Sequence, residues 1–327
     1  MKFPRRRFLH LAMGAAAIPT VSRIARAQTY PTRPIRMIVP YTPGGYTDFM
    51  ARIVGQKLSE VLGQPFVFEN RPGANSVIGA DAVAKSAPDG YTFGTVIAAH
   101  AVNASLNPKL PYDVLKDFSY ISLMSVAPLI MVAHPALPAN NVQELIALAK
   151  AKPGELNFAS SGVGAAAHLT MELFKSRTGI NMVHVPYKGT APALTDLIGG
   201  RVNVMFDVVG SLMPHVRART IKALVVTASE RMPAAPEVPI MAEAGVSDFA
   251  SGTWAGLIGP ASLPKDIVNR VSNEVAKIVR DPAIRERLAR DGYEPVGNSP
   301  AEYEQFMRVE VAKWARVIKE AGIKSED

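Results

Sequence analysis

The stretch VPYTPGGYTDFMAR, Val39 to Arg52, joins two elements of different period. Before it, Ile35, Met37, Ile38 and Val39 form the short apolar run of a buried strand. After it, Met50, Ile53, Val54, Leu58, Val61 and Leu62 recur at three- and four-residue spacing, with Gly63 as a stop. That pattern predicts an amphipathic helix over residues 47–62. Between strand and helix stand Pro43, two glycines, Tyr46, Thr47 and Asp48, with Thr47 or Asp48 as the expected helix cap. A strand that feeds a helix through a glycine loop is the opening of a βαβ unit, and the rest of the chain repeats it.

Strand patterns fall at residues 35–41, 66–69, 91–97, 121–126, 129–133, 156–159, 183–185, 204–206 and 223–227. Helix-period runs lie between or after them at 47–62, 75–86, 142–151, 165–178, 191–198, 265–280, 282–290 and 300–321. This alternation predicts an α/β protein with mainly parallel sheets. The apolar stretch from Ser125 to His134, broken at Pro128, is long enough to cross between two lobes. A second change of character near Phe249 to Trp254 returns the chain, so the first lobe is expected to draw on both ends of the sequence. A length of 327 residues suits two cores better than one.

The formal charge of +8 is an effect of the N-terminus. Residues 1–27 hold six basic residues and no acid, so the remainder carries 36 − 6 = 30 bases against 28 acids. A near-neutral chain of this kind has no electrostatic footprint for nucleic acid. Lys2 with Arg5, Arg6 and Arg7, a modest apolar run over 8–21 and Ala25-Arg26-Ala27 read as a removable signal peptide over 1–27. Its Arg5-Arg6-Arg7-Phe8-Leu9 resembles a twin-arginine export motif, with His10 where Lys is usual and Pro4 where Ser or Thr is usual. No later apolar run approaches a membrane span, and the absence of cysteine excludes disulfides, thiolate metal sites and a lipidated cysteine. The mature chain is expected to be free in the periplasm, without membrane insertion.

In parallel sheets ligands collect beyond the carboxyl ends of strands, where helix N-termini present N–H groups. Four such loops stand out. The first is Tyr41, Thr42, Pro43, Gly44, Gly45, Tyr46, Thr47 and Asp48; the second is Ser160, Ser161, Gly162, Val163 and Gly164, before the helix carrying His168. The third contains Tyr187, and the fourth begins at Asp207. Glycines, hydroxyls and helix dipoles suit a small anion, although each loop taken alone could be no more than turns and caps. Asp207 could accept from loop backbone, from water or from an amine on the ligand.

Enzyme readings find little support. Gly162 to Ala167 fits G-x-G-x-x-A, yet no acidic residue follows about 20 positions on to hold a ribose. Ser160 or Ser161 with His168 and Asp207 lacks the G-x-S-x-G elbow of a hydrolase. The histidines lack metal-ligand spacing. No cofactor or metal is expected.

Tyr30-Pro31-Thr32-Arg33-Pro34-Ile35-Arg36, then Ile38-Val39-Pro40 and Pro43-Gly44-Gly45-x-x-Asp48, resemble the start of the Bug/TctC proteins. Those are extracytoplasmic solute receptors of tripartite tricarboxylate transporters. Asn70-Arg71-Pro72-Gly73-Ala74, Pro88-Asp89-Gly90-Tyr91-Thr92, Ser160-Ser161-Gly162-x-Gly164, His184-Val185-Pro186-Tyr187-Lys188-Gly189 and Asp196-Leu197-Ile198-Gly199-Gly200 extend the resemblance to the C-terminus.

The resemblance implies a two-domain periplasmic binding protein fold of type II, with two hinge crossovers and a mainly parallel sheet flanked by helices in each lobe. Domain 1 would be 30–129 with 250–327, and domain 2 would be 130–249. It also implies a small carboxylate in the interdomain cleft and membrane permease subunits as partners. The family's ligand-facing segments carry over to Tyr41 through Asp48, Ser160 through Gly164, and Asp207. Tyr46, the variable residue of the glycine loop, is expected to line the cleft and tune specificity. A binding protein serving a sensor kinase and, less favoured, a periplasmic hydrolase stand as alternatives.

Overall fold

The computed structural model describes residues 30–187, 189–247, 249 and 251–324. The signal peptide read at 1–27 lies outside the described residues.

The first strand, β1 (Ile35–Val39), runs into α1 (Tyr46–Leu62), β2 (Phe66–Asn70), α2 (Val77–Ala84), β3 (Thr92–Ile97) and α3 (Ala98–Leu106). Helix α1 buries Met50, Ile53, Val54, Leu58 and Leu62 and ends on Gly63, whose φ of 73° lets its N–H reach the Ser59 carbonyl. Val61, counted with the apolar face in the sequence, is exposed.

Strand β4 (Phe118–Ala133) is a single element of 16 residues, where two strands separated by Pro128 were expected. At about 3.3 Å per residue it is roughly 50 Å long, enough to serve two sheets. Its first part, Phe118 to Pro128, pairs antiparallel with β9 (Gly252–Pro260), and Leu129 to Ala133 pairs with β7 (Val204–Val208) and β8 (Lys222–Val226). Pro128 is tolerated because it sits at the change of sheet, opposite Gly252. A Cβ on Gly252 would come within 2.8 Å of the Ala127 carbonyl oxygen, so the two crossing segments meet backbone to backbone. Thr227 fastens them: its Oγ1 accepts the Leu129 N–H at 2.8 Å and donates to the Ser251 carbonyl.

Beyond the crossing come α4 (Val142–Ala151), β5 (Asn157–Ser160), α5 (Ala166–Thr178), β6 (Val183–Pro186), α6 (Thr190–Ile198), then β7, α7 (Val209–Arg217) and β8. Their sheet has the order β6-β5-β7-β4-β8. Only β4 opposes the other four strands. The chain returns through β9 and finishes with α8 (Lys265–Arg280), α9 (Pro282–Arg290), β10 (Glu294–Pro295) and α10 (Pro300–Ala321). The first sheet therefore reads β2-β1-β3-β9-β4-β10, with β9 and β10 opposed to the rest. Helix α8 packs on α1 and β4, and α10 on α3 and β4, so these C-terminal helices lie against the first sheet.

Strand β9 gave no strand signal in the sequence. It is central and buried, so it lacks polar alternation, and it contains glycines where other side chains need the space. A Cβ on Gly256 would fall 1.8 Å from the Tyr303 hydroxyl, and one on Gly259 2.4 Å from Leu263. Helices α3 and α7 also escaped notice: both are short and lack a capping side chain, and α7 contains Gly210 and Pro214.

Candidate functional site

The loops singled out in the sequence lie at the carboxyl ends of β1, β5, β6 and β7, and the helices they start share one property. The N-cap positions of α1, α5, α6 and α7 are Gly45, Ala165, Gly189 and Val208, and no side chain caps any of them. The first N–H groups of each helix have no intrahelical acceptor, so these four ends keep donors in reserve.

In the first loop, Thr42, Pro43, Gly44 and Gly45 are exposed. Thr47 and Asp48 are buried and neither caps α1, contrary to expectation. Asp48 instead reaches back along the chain. Its carboxylate accepts the Gly44 N–H at 3.0 Å, the Arg52 guanidinium at 2.9 Å and the Asn70 amide at 3.0 Å. These partners outweigh burial and hold its pKa below the usual carboxylate range. A positive φ of 90° at Gly44 gives the loop its bend. Asp48 thus braces the glycine loop.

Tyr46 corrects the expectation of a ring standing in the cleft. It is buried, its hydroxyl bonds the Ser125 side chain at 2.8 Å, and its ring meets Tyr293 at 4.7 Å between centroids. It packs beneath the place where the lobes meet. Tyr187 needs a similar correction. Its phenol donates to Asp196 at 2.7 Å, which already pairs with Arg201. That contact points the side chain away from the loop, and only the Tyr187 backbone borders Gly162.

In the second loop, Ser160 is fully buried and its hydroxyl meets His184 Nε2 at 2.6 Å and accepts the Gly162 N–H at 3.2 Å. His168 Nδ1 accepts the Gly164 N–H at 3.1 Å. The His168 and His184 rings stack at 3.9 Å and 7°, over Phe158. Burial lowers their pKa values to about 3 and about 4, so both are neutral and bring no cation to the site. Their work is to fix the loop of Ser161, Gly162 and Val163, which stays half-buried. His184 was not among the expected site residues.

Asp207 is buried at the carboxyl end of β7. It accepts from Thr190 Oγ1 at 2.6 Å and from the Val208 N–H at 2.7 Å, with no ion pair among the described residues. Burial raises its pKa, with those two hydrogen bonds opposing. Thr190, the last residue of the third loop, ties α6 to this carboxylate.

The lobes touch on both sides of these loops. A Cβ on Gly164 would lie 2.4 Å from Leu106 and 3.2 Å from the Asn75 amide, both on the first lobe. A Cβ on Gly210 would lie 2.4 Å from the Asp291 carbonyl oxygen and 2.9 Å from the Tyr293 hydroxyl. Asn75 reaches this contact from a run of unusual backbone, with φ of 45°, 48° and 77° at Ala74, Asn75 and Ser76. Three consecutive non-glycine residues in the left-handed region mark a segment held in place by its surroundings. Two surface hollows, of about 290 and 400 Å³, lie at the opposite end of the second lobe, around His134 and Leu156 and around Arg219 and Lys222. Neither involves the loops.

Comparison with known proteins fits this geometry. Residues 50–323 match the family model for the tripartite tricarboxylate transporter family receptor, TctC. The chain belongs to the TctC family. BugT of Bordetella pertussis is 41% identical over 300 residues, which cover 91% of this chain and 92% of BugT. The structure of Rpa4515 from R. palustris with adipate superposes with a TM-score of 0.86 at 37% identity, covering 90% of this chain and 99% of that one. MatC from Rhodopseudomonas palustris with bound malate superposes at 0.81 and 32% identity, covering 88% and all of that chain respectively. The fold is the two-lobed periplasmic binding protein fold, and the TctC family is one of solute-binding receptors. Among the described residues no helix is long and apolar enough to cross a membrane.

Proposed function

We propose that this TctC-family chain captures a small carboxylate between its lobes and delivers it to membrane permease subunits of a tripartite tricarboxylate-type transporter, without turning it over. The observation that carries this reading is the set of four uncapped helix N-termini that adjoin the glycine and hydroxyl loops of both lobes. Backbone N–H groups and helix dipoles favour an anion there without a dedicated guanidinium. Lys188 is the one base in the four loops, and the two histidines are neutral. The adipate and malate seen with two relatives belong to the same chemical class.

In this reading residues 30–129 with 250–327 form one lobe and 130–249 the other, and they close about the 128–129 and 251–252 crossings. Thr42 through Gly45, Ser161 through Gly164 and Asp207 supply the lining, with Tyr46, Asp48, Ser160 and His168 behind the loops. A twin-arginine-type signal over 1–27 delivers the chain to the periplasm.

A thermal-shift screen of mono-, di- and tricarboxylates, amino acids and aromatic acids tests the proposal. A solute at 100 times its Kd should add about 2.7 kcal/mol of stability. A panel in which no carboxylate raises the melting temperature would remove the reading.

A further inference from the structure

Behind the glycine loop the first lobe holds a group of polar side chains that the carboxylate reading does not use. The hydroxyls of Tyr41, Ser76 and Tyr112 and both ring nitrogens of His100 are buried, and none has a hydrogen-bond partner among the described residues. Ser76 is 1% exposed, Tyr112 6% and His100 0%. The side chains converge from four places: the end of β1, the start of α2, the body of α3, and the segment before β4. The Tyr41 phenol has the Ser76 hydroxyl within hydrogen-bonding reach and the Tyr112 phenol the Asn103 side chain, though neither pair has good geometry, and the two phenols lie close enough for their charged forms to repel. His100 stacks on Tyr112 at 5.6 Å and meets Phe118 edge-on at 4.8 Å.

Folded proteins satisfy nearly all buried polar groups, so two His100 nitrogens with no partner, beside hydroxyls that meet only one another or Asn103 at poor geometry, call for an outside partner. The chemistry of that partner is restricted. Every hydroxyl can both donate and accept, the Asn103 amide is taken up by Asn75, and burial keeps His100 neutral, with a pKa of about 3. Among the described residues no free cation faces the group: Lys85 on α2 is committed to Asp81, whose carboxylate acts on Tyr112. A second carboxylate would find no countercharge here, whereas a neutral hydroxyl or carbonyl group would find partners for each of its hydrogen-bonding positions.

The group lies one layer behind the contact between the lobes. Asn75 and Asn103 bond each other through the Asn103 amide and the Asn75 carbonyl at 2.8 Å. Asn75 is the residue that the left-handed run sets against Gly164 of the opposite lobe. The Asn75–Asn103 pair therefore stands between the second loop and the Ser76 and Tyr112 hydroxyls.

We propose that the Tyr41, Ser76, His100 and Tyr112 cluster is a second subsite of the cleft, which takes an uncharged polar group at the far end of the solute, a hydroxyl or carbonyl. The proposal rests on the carboxylate reading and adds a pole to it: one end anionic at the helix N-termini, the other neutral in the first lobe.

Calorimetry with paired probes tests it: ω-hydroxy acids of four to six carbons against the unsubstituted acids of equal length, with adipate and malate alongside. In the native protein at least one ω-hydroxy acid should bind about tenfold more tightly than its partner. The double variant Ser76→Ala, Tyr112→Phe removes two oxygen atoms and keeps the ring that stacks on His100. It should abolish that preference while leaving the unsubstituted acid within twofold. No preference in the native protein, or one that survives in the double variant, shows that water alone serves these groups and overturns the subsite. If none of the acids binds, including adipate and malate, the carboxylate reading fails and takes the subsite with it.

Discussion

Two sets of helices in this chain meet the same backbone problem differently. In the frame, α4, α9 and α10 begin with capping side chains. Asn141 accepts the Glu144 N–H, Asp281 accepts from Ala283 and Ile284, and Ser299 forms a reciprocal capping box with Glu302. At the cleft, α1, α5, α6 and α7 begin on Gly45, Ala165, Gly189 and Val208 with no such acceptor. A cap at the N-terminus contributes about 1 kcal/mol of stability. The cleft helices forgo it, and their donors stay open to a partner that arrives from outside. Helices α2, α3 and α8 also begin without a capping side chain, so an open end alone does not mark a binding residue; what sets the four cleft helices apart is that their open ends adjoin the glycine and hydroxyl loops, and that can be attacked from either side.

The largest effect should come from giving a cleft helix the cap it lacks. Gly45 has an ordinary φ of −84°, and a Cβ there would meet nothing within 4 Å. Gly45→Asp should therefore fold normally, gaining a few tenths of a kcal/mol at most over glycine. Its carboxylate would occupy the α1 donors and repel an incoming anion. Carboxylate affinity should fall about 100-fold, near 2.7 kcal/mol, at unchanged melting temperature. Unaltered affinity in calorimetry would mean that the α1 terminus does not hold the solute.

A smaller loss should follow from obstructing closure. Gly210 lies inside α7, where alanine is the better helix former by about 1 kcal/mol. Its added methyl, however, would collide with the Asp291 carbonyl across the lobes. Gly210→Ala should keep or raise the melting temperature, weaken solute binding about tenfold, and leave the liganded protein more open in small-angle scattering. A liganded scattering curve identical to the native one would show that α7 can shift without opening the cleft.

Asp207 offers a test by pH. Burial raises its pKa in the free protein, and a solute carboxylate enclosed nearby would raise it further. The complex then binds more protons than the free protein, so affinity should fall as pH rises through the raised Asp207 pKa, by at most about tenfold per pH unit. Asp207→Asn removes the titrating group, and the affinity of an amine-free carboxylate should become independent of pH above the solute's own pKa. If the slope persists in Asp207→Asn, another group is the source.

Much of this frame could be read in the sequence. The period of α1, α8 and α10 located those helices, and the loops after β1, β5 and β7 were picked out by their glycines and hydroxyls. What escaped notice depends on tertiary neighbours. Strand β9 carries glycines because Tyr303 and Leu263 lie over it, a requirement invisible along the chain. Tyr187 is drawn outward by Asp196, nine residues away in sequence but adjacent across β6 and α6. Tyr46 was legible and misread. It stands four residues before Met50, so extending the apolar stripe of α1 by one turn already places its ring in the core. Asn75 had only a faint mark, the turn-forming run Pro72-Gly73-Ala74-Asn75-Ser76, which suits left-handed backbone without announcing three such residues in succession.

The smallest effect tests the other half of the comparison. Ser299 accepts the Glu302 N–H at 3.3 Å, and Glu302 accepts the Ser299 N–H at 2.8 Å, closing the first turn of α10. That helix lies on α3 and β4, on the face of the first sheet that α3 shares. Ser299→Ala should cost about 1 kcal/mol in denaturant unfolding, because the first-turn donors lose their internal acceptor. Solute affinity should stay within twofold, since nothing at the cleft depends on that turn. If Ser299→Ala instead weakens solute binding as much as Gly210→Ala does, the capped helices are not a passive frame. Strain at the far end of α10 would then reach the cleft through α3, and the division between folding residues and binding residues would have to be redrawn along that helix pair.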